Sequence, residues 1–289
     1  MHVTSFANAA PPERNEPARE RAVMLKVLAA ASALILGSRA ALAGPPFLTD
    51  DPAPVDYRHA EFYVFSTYDK TIEADDSALP AFEFNYGVLP NTQLHLVVPF
   101  VHSVARDASS ESGIGDVEIG VKYRFVQETE SSPQVGIFPM AELPTGDSDK
   151  GLGNGKTWWR LPVWVQKSWG EWTTYGGIGY AINSAEGQSD YSFAGWLLQK
   201  DVGAKWTLGG EIFARGKDTV DGESTTIVNL GGFYKFKANF NLLFSAGHSV
   251  SGESHTVAYL GLWWSFGADE NSEHTALDIG RNHWPLSQR

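Results

Sequence analysis

Apolar and polar positions alternate with period two along most of this chain. Phe82, Phe84, Tyr86 and Val88 alternate with Glu83, Asn85 and Gly87; Leu94, Leu96, Val98 and Phe100 continue the pattern. Val117, Ile119, Val121, Tyr123 and Phe125 alternate with Glu118, Gly120, Lys122 and Arg124. Successive side chains on a strand point to opposite faces, so this pattern predicts strands with one apolar face. Twelve such segments are expected, near 58–68, 80–88, 92–103, 115–126, 134–143, 157–168, 172–182, 191–200, 205–215, 225–236, 240–250 and 255–266. Their length is what a tilted strand needs to cross a bilayer, roughly 9–11 residues. Convincing stripes of period 3.6 are lacking, and no stretch after residue 43 is long and apolar enough for a membrane helix.

The connections fall into two classes. Short polar turns join alternate pairs: 89–91, 170–171, 201–204 and 237–239, with 127–133 the longest. Longer stretches rich in Asp, Ser, Gly and Glu join the others: 69–79, 104–114, 144–156, 183–190 and 216–224; only 251–254 is short for its class. Alternating short and long loops over an even strand number is the topology of an antiparallel transmembrane β-barrel. Short turns and both chain ends then face the periplasm. A soluble sandwich would explain the alternation, but not the loops or strands beyond the usual five or six residues. Aromatic residues near segment ends (Tyr57, Tyr63, Tyr68, Trp158, Trp159, Trp169, Trp172, Trp196, Trp206, Trp263, Trp264 and Phe266) fit interfacial girdles.

Composition sharpens this picture. Charged residues make up 19% of the 289, below the globular average of about 25%. The net charge of −12 gives no electrostatic case for nucleic acid. No Cys is present, which excludes disulfides and thiolate metal sites. Near the N-terminus, Lys26 precedes an apolar run, Val27 to Gly37, and the small-x-small site Ala41-Leu42-Ala43. Residues 1–43 therefore read as a secretory signal peptide. Residues 1–23 fit no signal design, so the true start is expected at Met24. The barrel is assigned to 44–266 and a polar periplasmic tail to 267–289.

A charge on the lipid face near the midplane costs roughly 2–4 kcal/mol. Glu83, Glu118, Lys122, Arg124, Glu142, Arg160, Glu211 and Arg215 should therefore point inward, where they would line or gate a lumen. Phe84, Val98, Ile119, Val121, Val163, Val165, Leu208 and Leu262 should face lipid.

Several motifs invite chemistry. GLGNGKT, residues 151–157, approaches a phosphate-binding loop, but the first Gly of that pattern should stand at 150, which is Lys. Asp147-x-Asp149-x-Gly151 resembles part of a calcium loop, yet position 158 is Trp where that loop needs Glu. Asp147, Asp149, Lys150 and Lys156 are instead read as outer-loop residues that meet lipopolysaccharide, ions or solute. No cofactor or metal site is expected. His102-Ser103, His248-Ser249 and Ser254-His255 lie near outer strand ends. Strand neighbours point apart, so an adjacent pair makes no dyad, and these are read as rim histidines in water. His274 and His283 lie in the tail.

Residues 259–266, YLGLWWSF, resemble the C-terminal signal read by the barrel assembly machinery, with Gly261, Trp264 and Phe266 at the matching positions. Further stretches (GPPFLTDDPAPV, FEFNYGVLPNTQLHLVVPF, GIGDVEIGVKYRF, ELPTGD with GLGNG, and LPVWVQKSWGEWTTYGGIGY) together resemble the bacterial MetA-pathway of phenol degradation family. The resemblance runs from about 44 to 266. It implies a transporter-like barrel in a Gram-negative outer membrane and supplies no catalytic residues. The expected role is passage of small molecules, aromatic or apolar. The alternatives are a non-conducting structural or adhesion barrel and an outer-membrane lipid hydrolase.

Overall fold

The computed structural model describes residues 45–106 and 109–267. The expected signal peptide, residues 1–43, and the expected tail beyond Gly267, with His274 and His283, lie outside the described residues. One antiparallel sheet contains β1 (Ala60–Lys70), β2 (Ala74–Leu89), β3 (Thr92–Ala105), β4 (Ser110–Ile114), β5 (Val117–Val126), β6 (Gln134–Ile137), β7 (Met140–Leu143), β8 (Trp158–Trp169), β9 (Trp172–Ile182), β10 (Tyr191–Val202), β11 (Trp206–Arg215), β12 (Thr225–Lys237), β13 (Phe240–Ser251) and β14 (Thr256–Phe266). The sheet closes because β1 pairs with β14 over its whole length, from Ala60 opposite Phe266 to Lys70 opposite Thr256.

Two staves of this barrel are broken. β4 and β5 both pair with β3 and are parted at Gly115-Asp116. β6 and β7 both pair with β5 and with β8 and are parted at Phe138-Pro139. The barrel thus has twelve staves, in the places the alternation marks. Proline lacks a ladder donor, so breaks and bulges gather near it. At these breaks the proline carbonyls still accept: Gly115 N–H donates to Pro99 O at 2.9 Å and Val121 N–H to Pro139 O at 3.0 Å.

The structure corrects two expected loops. Much of 69–79 and 104–114 is strand: β2 begins at Ala74, and β3 runs to Ala105 and pairs with β4. Asp75, Asp76, Ser110, Glu111 and Ser112 hid these ends from the alternation. Strand that stands clear of hydrocarbon needs no apolar outer face, so period two is not written there.

Along the staves, buried positions alternate with exposed apolar ones. Phe84, Ile119, Val121, Val163, Val165 and Leu208 are exposed on the outer wall, and Val98 and Leu262 are partly covered there. The aromatic set divides, which is a second correction. Tyr63, Trp158 and Trp263 are buried inside, whereas Trp159 and Phe266 are exposed and Trp264 packs outside on Phe240 at 4.9 Å. Neighbours on a strand must part to opposite faces, so each Trp-Trp pair gives one ring to each side. Trp196 is mid-strand rather than terminal. Gly261 faces inward; a Cβ there would come within 2.8 Å of the Tyr259 ring, which stacks on Phe65.

Candidate functional site

The lumen is occupied by the chain's own N-terminal segment. Residues 46–56 form no strand, yet Phe47 is 2% exposed, Thr49 0% and Asp50 3%. A segment without a ladder must satisfy its backbone elsewhere, and inward side chains of the wall do this. The Glu211 carboxylate accepts from Leu48 N–H at 2.8 Å and Thr49 N–H at 2.7 Å, and also from Asn229 at 2.9 Å. Ser245 Oγ donates to Pro46 O at 2.5 Å. Gln93 Oε1 accepts from Val55 N–H at 2.8 Å. Lys122 Nζ lies 2.9 Å from Asp50 Oδ1 and 3.8 Å from Asp51. Phe47 packs with Tyr175 and Leu197. Gly195 leaves room for Thr49, whose Oγ1 would overlap any Cβ at that position.

The eight charged positions divide by partner. Lys122 and Glu211 grip the N-terminal segment. Glu118, Glu142 and Arg160 come together: Arg160 pairs with Glu118 and stands 3.7 Å from Glu142. His95 extends this group, one ring nitrogen 2.9 Å from Glu118 and the other 2.7 Å from Asn85, which donates to Glu83 at 2.7 Å. Arg124 stands apart on the short-turn side, donating to Asn91 Oδ1 at 2.9 Å and Gln134 Oε1 at 3.1 Å. Arg215 lies toward the other end, 3.0 Å from Asp218 and 3.1 Å from His255 Nε2. Removing one partner of such a buried pair is strongly destabilising, by roughly 3–5 kcal/mol.

Beside the segment lies a narrow cavity of about 30 Å³. Trp164, Tyr191, Phe193 and Phe213 line it, together with Leu48 and Asp50 of the segment itself. The rings form one cluster, with Phe193 centred 6.1–6.3 Å from each of the other three. Arg160 and Arg215 also border it, each already paired with a carboxylate. A second cavity, about 70 Å³, carries Asp69, Asp76, Asp116, Glu118 and Glu142 in its wall.

Among the described residues, His102 Nδ1 meets Ser112 Oγ at 2.6 Å and His248 Nδ1 meets Thr256 Oγ1 at 2.9 Å, both in exposed settings. His255 corrects the reading of a rim residue in water: it is 0% exposed, with Nδ1 3.0 Å from Asp69. Its Nε2 meets Arg215, not a hydroxyl nucleophile.

The Gly-rich loop 144–157 makes no phosphate cradle, which would require a strand feeding a helix. Ser148–Lys150 is one 3-10 turn, closed by Gly151 at φ 67. Asp116 holds the loop, accepting from Gly146 N–H at 2.9 Å and Asn154 N–H at 2.5 Å. Asp147 pairs with Lys150 at 3.5 Å, Asp149 is exposed, and Lys156 donates to Ser184 O at 3.0 Å. Leu152 alone turns inward deeply, and a Cβ at Gly113 of β4 would lie 3.0 Å from it.

Several interior residues escaped the sequence reading. Asp69, His95 and Asp116 carry a readable signal, since His95 shares parity with Gln93 and Val97 against Leu94, Leu96 and Val98. Asp50 and Asp51 carry none, because their segment has no period.

The fold is that of known outer-membrane barrels. The COG4313 outer membrane channel from Pseudomonas putida F1 matches with a TM-score of 0.64 at 15% identity, over 75% of this chain and 98% of that one. The translocator domain of the autotransporter NalP from Neisseria meningitidis matches with a TM-score of 0.51 at 12% identity, over 87% and 97%. The NanC porin matches with a TM-score of 0.50 at 8% identity, over 70% and 98%. No protein of curated function matches the chain by sequence. The family model described as "Putative MetA-pathway of phenol degradation" matches residues 63–266, so the chain belongs to that family.

Proposed function

We propose that this protein is an outer-membrane channel for small apolar or aromatic molecules, closed at rest by residues 46–56. The observation that carries this reading is the aromatic cavity inside a barrel whose outer wall is apolar. Ligand sites are mostly apolar clefts with a few polar groups, and this cavity has that make-up inside a lumen that is otherwise largely polar. The short-turn end faces the periplasm and the 144–157, 183–190 and 216–224 loops face outside. The inward charges serve two tasks in this proposal. Lys122 and Glu211 hold the closing segment, while Glu118, Glu142, Arg160 and Arg215 brace the wall around the solute. Glu83 and Arg124 line the remainder.

Residues 1–43 deliver the chain across the inner membrane, and Gly261, Trp264 and Phe266 present it to the barrel assembly machinery. Lys150 and Lys156, exposed on the outer loop, meet lipopolysaccharide.

The test is current and uptake across planar bilayers and liposomes, with the wild type compared to a variant lacking residues 46–56. The expected result is small wild-type conductance, large conductance of the variant, and wild-type passage of toluene. A second reading, a non-conducting structural barrel, is favoured by the deep burial of the segment's anchors. It prevails if the wild type passes neither ions nor toluene while the truncated variant conducts.

A further inference from the structure

We propose that the short-turn end of β11–β13 holds an anionic phospholipid on the outer wall. Lys205 and Lys237 receive its phosphate, and a row of rings beside them receives its glycerol and upper acyl chains. The row crosses five neighbouring strands. Trp206 of β11, Tyr234 and Phe236 of β12, Phe240 of β13, Trp264 of β14 and Phe62 of β1 follow one another with centroids 4.6–6.2 Å apart. Away from this row, Tyr123 with Phe125 is the one other ring pair on the outer wall among the described residues. A plain interfacial girdle surrounds a barrel evenly, whereas these ring contacts gather in one sector.

The charges of the same sector name the occupant. Three lysines at the short-turn end already face carboxylates: Lys167 is 3.2 Å from Glu128, Lys200 3.7 Å from Glu171 and Lys235 3.4 Å from Asp201. Lys205 and Lys237 are exposed, and neither has a carboxylate partner among the described residues. Lys205 Nζ lies 5.8 Å from the centre of the Tyr234 ring, at the edge of the row. Lys237 stands opposite Phe240 across the β12–β13 hairpin and so shares its face. Lys235 N–H donates to Lys205 O at 2.8 Å, which makes Lys205 and Lys237 diagonal neighbours. Such neighbours are roughly 7–8 Å apart, a gap that one phosphate bridges between two flexible side chains. The chain as a whole carries −12, so attraction for an anion is local to this corner. A zwitterionic headgroup brings its own ammonium to its phosphate; an anionic one leaves that place to the lysines. The leaflet is the periplasmic one, from the orientation proposed above.

Native mass spectrometry of the detergent-purified protein, titrated with phosphatidylglycerol, phosphatidylcholine and lipopolysaccharide, tests this. A lysine beside an anionic headgroup contributes about fivefold in affinity. The wild type should therefore prefer phosphatidylglycerol to phosphatidylcholine by about twenty-five-fold. Lys205→Ala and Lys237→Ala should each remove about fivefold of that preference, and the double variant should bring the two lipids to parity. Lys200→Ala, whose ammonium already faces Glu171, should keep the wild-type preference. Phe240→Leu should weaken both lipids alike, since a ring does not read charge. Heat-modifiability on gels shows that each variant keeps its barrel. A double variant with the wild-type preference overturns the proposal. So does a loss in Lys200→Ala equal to that of the double variant, which makes the attraction a property of the whole basic rim. Lipopolysaccharide retained in place of phosphatidylglycerol, and lost in the double variant, also overturns it and puts the short turns outside.

Discussion

Residues 46–56 and 144–157 are alike in sequence and opposite in fate. Both carry Pro and Asp and neither alternates, though the first has three Pro and no Gly and the second one Pro and four Gly. Each is held by one inward carboxylate that accepts two backbone N–H groups, Glu211 for the first and Asp116 for the second. Yet the first is buried in the lumen, whereas the second is exposed along most of its length. The difference lies in the side chains that flank each anchor point. The first segment brings Phe47, Thr49 and a charged partner for Lys122 to the interior; the second brings one deeply buried apolar side chain, Leu152. An anchoring carboxylate fixes where a loop attaches. Burial of apolar and paired groups decides whether it fills the barrel.

The sharpest way to break this comparison is at the first anchor. Glu211→Ala removes the acceptor of Leu48 and Thr49 N–H. Hydrogen bonds to a charged group contribute about 1.5–3 kcal/mol each, so the segment loses about 3–6 kcal/mol of attachment. The closed-to-open ratio should fall more than about a hundredfold, read as a rise in single-channel open probability. Unchanged open probability would mean that Glu211 merely decorates a segment held by packing.

Lys122→Met acts on the same segment through charge. It leaves Asp50 buried beside Met, and breaking such a pair costs roughly 3–5 kcal/mol. The lumen should open here too, with lower thermal stability by heat-modifiability on gels. If Lys122→Met lowers stability but leaves the pore shut, the ion pair supports the wall and not the closure.

How far this was legible from the sequence depends on where the period runs. Every stave and the inward parity of Glu83, Glu118, Lys122 and Glu211 are written locally, residue against neighbour. The choice of partner is not. His255 and Asp69 are 186 residues apart and meet only because β1 closes on β14. Parity places a charge inside without naming the group that faces it. Residues 46–56 have no parity at all, and a Pro- and Asp-rich stretch ahead of the first strand shows no sign of its place in the lumen until the barrel is built around it. Asp75 and Glu111 misled in the opposite sense, since polarity there marks strand beyond the bilayer rather than loop.

At the second anchor a smaller effect is expected. Asp116→Asn keeps one acceptor for the two N–H groups and turns a donor toward the other. The loss is about 1–3 kcal/mol, confined to the rim. Amide exchange across 144–157 should quicken by about tenfold or more while open probability stays at the wild-type level. A pore opened by this substitution would erase the distinction between the two segments.

The smallest effect belongs to Lys156→Ala. Its ammonium donates to Ser184 O at 3.0 Å in an exposed setting, where water replaces the bond and the net contribution is within about 0.5 kcal/mol. Stability, conductance and exchange in the loop should therefore match the wild type. Its proposed contact with lipopolysaccharide is a separate quantity. Retention of the protein on lipopolysaccharide-containing vesicles should weaken modestly, and more at low salt, since exposed charges are screened within about 10 Å at 0.1 M. If the substitution instead loosens the loop, Lys156 and not Asp116 is its anchor. The parallel between the two carboxylates then fails at its weaker end.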